Sequence, residues 1–115
     1  VRVKRLFDFE AAHVLPNHPG KCRNLHGHSY RLGVTVEGHV DAATGLAIDF
    51  ADLKAIVQRE VVDVLDHRYV NDLIDNPSAE NMTIWMWRRL RPALPGLVEI
   101  ELWETRRCAV VYRGE

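Results

Sequence analysis

His26-Gly27-His28-Ser29-Tyr30-Arg31-Leu32-Gly33-Val34-Thr35-Val36-Glu37 is the stretch whose reading decides the fold. Its even positions are histidine, tyrosine or aliphatic, and its odd positions are small, polar or charged. A period of two marks a strand with one buried face, and it sets both histidines on that face. Upstream, Val1, Val3, Phe7, Phe9, Ala11 and His13 form a matching row, with Arg5 the polar exception. His13 therefore ends a mostly apolar row on a first strand. Between the two, Val14–Leu25 carries Pro16, Asn17, Pro19 and Gly20, the residues of a loop, so the second strand returns antiparallel to the first.

Beyond the turn signals Gly38, Asp41 and Gly45, Asp49 is the expected N-cap of a helix carrying Leu53, Ile56, Val57, Val61, Val64 and Leu65. A polar connector over residues 66–76 leads to a second helix. Pro77 suits its first turn, Met82, Trp85, Met86 and Leu90 lie at helical spacing, and it stops near Pro92. After the Pro95-Gly96 turn, Val98, Ile100 and Leu102 alternate with Glu99, Glu101 and Trp103 in a third strand, and residues 109–112 make a short fourth. The expected order is ββααββ, an α+β domain over residues 1–115 with a four-stranded antiparallel sheet covered on one face by two helices.

With 115 residues, 47% of them hydrophobic, the chain is long enough for one core. A formal net charge of −1 without a basic run argues against nucleic acid or a polybasic membrane patch. No stretch has the apolar length of a membrane span, and residues 1–5 lack the apolar core of a signal peptide, so a cytoplasmic location is expected. Cys22 and Cys108 are then expected as free thiols.

Three histidines, one ending the first strand and two at i and i+2 on the second, converge if the strands are neighbours. Three neutral imidazoles bind zinc and leave a fourth position for water or substrate, the catalytic pattern. The same residues also read as ordinary histidines packed against a sheet. Gly27 between them suits a close backbone approach or a bulge. His18 and His39 fall in turn-rich segments and read as solvated.

Cys22, in the loop that roofs this face, has Lys21 and Arg23 beside it, charges that favour a thiolate able to act as base or nucleophile. Cys108 reads as inert. Asp66-His67 is either a carboxylate-oriented proton carrier or a histidine favoured by a helix C-terminus. Glu104 continues the row Val98, Ile100, Leu102 and needs a partner, either a ligand with paired N–H donors or an arginine such as Arg106 or Arg107. Glu80 reads as a first-turn acid.

Phe9-Glu10-Ala11-Ala12-His13, Cys22-Arg23-Asn24-Leu25-His26-Gly27-His28-Ser29-Tyr30, Leu65-Asp66-His67, Pro77-Ser78-Ala79-Glu80-Asn81 and Trp103-Glu104-Thr105 together resemble the 6-pyruvoyltetrahydropterin synthase family. The likeness is strongest to its bacterial branch, the 6-carboxytetrahydropterin synthases of queuosine-precursor biosynthesis. It implies a tunnelling fold, in which trimers close a barrel of strands and two trimers stack as a homohexamer with active sites at subunit interfaces. It also implies zinc on His13, His26 and His28, and conversion of 7,8-dihydroneopterin triphosphate to 6-carboxy-5,6,7,8-tetrahydropterin, acetaldehyde and triphosphate. Cys22 would be the general base, with Asp66 and His67 as its relay. Glu104 would anchor the pterin, and Ser78 and Glu80 would border the pocket. The chain carries Ser78 and Ala79 where relatives often have threonines.

Two other readings follow from the same residues. One is the pyruvoyl-forming reaction of a biopterin-type pathway. The short loop between the first two strands and the closing Tyr112-Arg113-Gly114-Glu115 favour the carboxy branch over it. The other is a non-catalytic zinc- or pterin-binding module, which retention of Cys22 and Asp66-His67 argues against.

Overall fold

The computed structural model describes residues 1–115. Its longest elements are the two strands of the deciding hairpin, β1 (Arg2–His13) and β2 (His26–Glu37), paired antiparallel in unbroken register from Arg2↔Glu37 to His13↔His26. Alternation decides which face each residue meets: Phe7, Phe9, Ala11 and His13 are buried from β1, and Tyr30, Leu32, Val34 and Val36 from β2. Gly27 sits opposite Ala12 without a bulge, and a Cβ built there would meet only the Ala11 carbonyl at 3.5 Å. Neither reason offered for a glycine at that position is therefore needed.

The first helix opens at Phe50, with Asp49 accepting the Ala51 N–H as its N-cap. It runs as α1 (Phe50–Val57), a π-helical stretch over Gln58–Val62, and α2 (Asp63–Leu65). The wider π turn rotates the apolar stripe, so that Val62 is buried with Val57, Val61 and Leu65, whereas Val64 is only half-buried. Uniform helical spacing had placed Val64 in that row. The carbonyl of Glu60, inside the π stretch, accepts from Arg89 Nε at 2.7 Å.

A fifth strand corrects the expected count of four. β3 (Arg68–Tyr69) pairs parallel with β1 at Ala11 and Ala12, giving the sheet order β3-β1-β2-β4-β5. Two residues hold too little alternation to show in a sequence, and the pairing depends on the chain folding back across more than fifty positions. Arg68 and Tyr69 are followed by a 3-10 turn, Val70–Asp72, pinned by the buried Val70.

Ser78 caps α3 (Ala79–Leu90) by accepting the Asn81 N–H, so Pro77 lies just before the cap instead of in the first turn. β4 (Leu97–Trp103) and β5 (Ala109–Tyr112) complete the sheet. A register shift at Thr35/Val36 sets Leu97 opposite Val36, and Leu97, not Val98, joins Ile100 and Leu102 in the buried row. Both helices bury Leu53, Val57, Met82, Met86 and Leu90 against that same sheet face in one core. Each such side chain contributes about 1.5–3 kcal/mol. The other face stays polar, with Lys4 paired to Glu101 and Arg31 to Asp8.

At the end of the chain, Gly114 has φ of +84°, and a Cβ there would fall 2.5 Å from the Trp87 ring. Only glycine lets the tail lie across Trp87, which meets Tyr112 edge-on at 5.5 Å between centroids.

Candidate metal centre

The last rungs of the β1–β2 ladder are Ala11↔His28 and His13↔His26, so strand register alone delivers three imidazoles to one spot. Their ring centroids lie 4.5, 5.1 and 4.9 Å apart. β4 brings the fourth group. Glu104, one residue past the strand, is held by its N–H donating to the Cys108 carbonyl at 3.1 Å, and its Oε1 lies 3.0 Å from His28 Nε2 and 3.4 Å from His13 Nε2. One ligand atom from each of His13, His26, His28 and Glu104 falls within 4.8 Å of every other. The partner of the Glu104 carboxylate is thus an imidazole pair, and Arg106 and Arg107 are exposed.

Backbone carbonyls fix the ring tautomers. His13 Nδ1 donates to the Pro77 carbonyl at 2.7 Å, and His26 Nδ1 donates to the Asn24 carbonyl at 2.8 Å. With both protons on Nδ1, the two Nε2 lone pairs face each other at 2.9 Å. Only a shared proton or a cation between them relieves that repulsion. His28 Nε2 is buried, and despite its closeness to Glu104 it makes no hydrogen bond of acceptable geometry. A buried orphan nitrogen and two opposed lone pairs are the three-imidazole donor set of a first-row divalent ion, and the residues fit such a group, with the Glu104 carboxylate beside it free for other partners.

The electrostatics agree. Burial opposes charge on His13, but the Glu104 carboxylate and the Pro77 carbonyl outweigh it and raise its pKa. Burial lowers the pKa of His28, helped by the neighbouring His13 and His26 against the pull of Glu104. The adjacent His13 imidazole, first, holds Glu104 below the usual carboxylate range, against its burial and with the help of His28 and His26. Tyr30, stacked on Phe9 at 5.0 Å, packs edge-on to His13 and His28, and burial followed by the Glu104 charge keeps it a neutral phenol.

The other expected site residues are placed differently. Cys22 is a free, half-buried thiol in the 3-10 turn Lys21–Arg23, whose carbonyl accepts the Leu15 N–H at 2.9 Å. Asp66 and His67 pair at 3.0 Å on the outer edge of β1, where Glu10 donates its N–H to Asp66 and accepts the His67 N–H. None of these three residues contributes an atom to the four-atom cluster. Ser78 and the exposed Glu80 flank the cluster through Pro77, and the Ser78 hydroxyl is engaged as the helix cap. His18 and His39 are exposed, as expected, and so is Cys108.

Sequence reasoning missed Tyr30, the Asn24 and Pro77 carbonyls and the meeting of Glu104 with the histidines. Tyr30 was visible in principle as the next member of the His26, His28 row. Contacts of Pro77 and Glu104 leave no local signal.

Known proteins resemble this chain in sequence and in fold. The chain is 42% identical to a 6-carboxy-5,6,7,8-tetrahydropterin synthase of Synechocystis sp. over 92% of this chain and 88% of that one. It is 36% identical to the human 6-pyruvoyl tetrahydrobiopterin synthase over 84% of this chain and 72% of that one. The structure of a Caenorhabditis elegans 6-pyruvoyl tetrahydropterin synthase superposes with a TM-score of 0.91 at 29% identity, covering 100% of this chain and 96% of that one. Since residues 2–115 also match the family as a whole, the chain belongs to the 6-pyruvoyl tetrahydropterin synthase family.

Proposed function

We propose that this protein is a zinc-dependent carbon–carbon lyase that converts 7,8-dihydroneopterin triphosphate and one water to 6-carboxy-5,6,7,8-tetrahydropterin, acetaldehyde and triphosphate. The observation that carries the reading is the convergence of three imidazoles and a carboxylate within 4.8 Å. The carboxy product is supported by the 42% identity to a relative of that name.

Zinc, when bound by His13, His26 and His28, supplies Lewis acidity that makes a substrate hydroxyl and the C–H beside it more acidic. The Pro77 and Asn24 carbonyls hold His13 and His26 in the tautomer whose Nε2 is free to ligate. Glu104, charged at neutral pH, accepts the N–H and amino edge of the pterin. Ser78 and Glu80, at the start of α3, border the bound ring. Cys22 removes the substrate proton, and Asp66 orients His67 to relay it.

Cys22 and the Asp66–His67 pair are not within one cluster, so the complete site is proposed to form between subunits. Two features support this. β1 is unpaired on its outer side over most of its length, since β3 reaches only Ala11 and Ala12, and β5 is the opposite open edge. The protomer is also elongated, with a radius of gyration of 15.0 Å, against about 13 Å for a compact chain of similar length. Ring closure of the sheet edges into trimers, stacked as a homohexamer, removes both open edges. No helix is long and apolar enough to cross a membrane, and the free thiols suit the reducing cytoplasm.

A second reading is favoured by the human and nematode relatives, whose names give the pyruvoyl product. Incubation with dihydroneopterin triphosphate and an assay for acetaldehyde separates the two. Acetaldehyde together with the carboxypterin is expected; pyruvoyl product without acetaldehyde would replace the proposed reaction with the other.

A further inference from the structure

β1 leaves its partner at the point where accuracy matters most. His13↔His26 is the last rung of the β1–β2 ladder, and the next residue, Val14, enters a loop. On the other side of β1, the parallel rungs to β3 end at Ala12↔Tyr69. Continued by two residues, that register would set Val14 opposite Asn71. By then the chain has turned into the 3-10 stretch Val70–Asp72, so no backbone rung forms there.

The Asn71 side chain takes its place. Its Oδ1 accepts the Val14 N–H at 2.9 Å, and its Nδ2 donates to the Val14 carbonyl at 3.0 Å. A carboxamide has the same donor and acceptor as a peptide group, so it extends the ladder one rung beyond its backbone end. Further along, just before α3, the same connector supplies the Pro77 carbonyl that fixes the His13 ring. The connector thus steadies His13 from two sides, through Asn71 on the adjoining Val14 backbone and through Pro77 on the imidazole.

We infer that Asn71 is a positioning residue for the metal centre, fixing the backbone that aims His13. The inference rests on the reading of His13, His26 and His28 as a metal site. Without the Asn71 clamp, Val14 peels from the end of β1 and the His13 ring samples orientations that do not converge with His26 and His28.

The test uses the full chain and zinc alone, titrated against a chromophoric chelator, with the thermal midpoint of the metal-free protein measured beside it. Asn71→Asp keeps the acceptor but sets a carboxylate oxygen against the Val14 carbonyl, and Asn71→Ala removes both bonds. Ile74→Ala is the comparison, because Ile74 packs on the core from the same connector and its hydrocarbon side chain offers Val14 no hydrogen bond. The expected result is zinc affinity about tenfold or more weaker in both Asn71 variants, an altered visible spectrum of the cobalt-substituted protein, and native affinity in Ile74→Ala at a similar loss of thermal midpoint. Native zinc affinity in a folded Asn71 variant, or equal weakening in Ile74→Ala, would overturn the inference while leaving the metal site standing. A wild-type chain that binds no zinc would instead overturn the metal reading itself.

Discussion

The histidine cluster and the Asp66–His67 pair are both made of groups that handle protons and metals, yet the fold treats them oppositely. His13 is fully buried, its backbone paired on one strand and followed by Val14, which Asn71 clamps on the other side, with its ring tautomer set by a carbonyl. His67 stands on the outer edge of β1 with its side chain 79% exposed, in the left-handed region at φ of +58°. A metal site must be rigid before its ion arrives, so it is built where two long strands run in register. In the proposed oligomer an edge is where a group can serve a neighbouring subunit, and a strained non-glycine backbone there is the kind of feature that function maintains.

The harshest way to break this contrast is to remove a buried ligand. His13→Ala is expected to lose zinc altogether, read by elemental analysis of purified protein, with turnover falling to background. Zinc retained near one per chain would show that the cluster is not the metal site. Cys22→Ala should separate the two regions: zinc content stays native while turnover falls by about 10²–10⁴-fold. Native turnover in that variant removes the thiol from the proposed chemistry.

His67→Gly sharpens the comparison further. Glycine relieves the left-handed strain, so thermal stability should hold or rise by up to about 1 kcal/mol, zinc affinity should not change, and turnover should drop by about 100-fold. A stable variant with full activity would reduce His67 to an ornament of the β1 edge.

The smallest effect expected is on acid stability. The Glu10 N–H, aided by His67, holds the Asp66 carboxyl below the usual range. The folded pKa therefore lies under the unfolded value of about 3.9, and the charged form stabilises the fold above that value, a contribution lost as pH falls through the folded pKa. Asp66→Asn should flatten the acid limb of a stability–pH curve of the metal-free chain and leave the curve unchanged in shape above pH of about 6. An acid limb identical to the wild type would show that Asp66 carries no such linkage.

Much of the metal face was legible because strand alternation is a local rule. Once residues 26–37 read as a strand, Tyr30 and both histidines had to share a face, and His13 followed from the matching row on β1. Fixed periods, helical or extended, failed where geometry departs from them. The π stretch exchanged Val62 for Val64, and the bulge exchanged Leu97 for Val98. Neither distortion has a residue signature, because each is set by what packs against it.

By itself, then, the sequence determined which residue types face the core, where the first helix is capped and which three imidazoles share a surface, since φ/ψ preference and side-chain period act over a few residues. Tertiary structure alone decided that Glu104 meets His28, that Pro77 orients His13, that Asn71 stands in for a missing rung and that Arg68–Tyr69 becomes a strand. These contacts join segments tens of residues apart, and only the packing of helices on the sheet brings them within hydrogen-bonding reach.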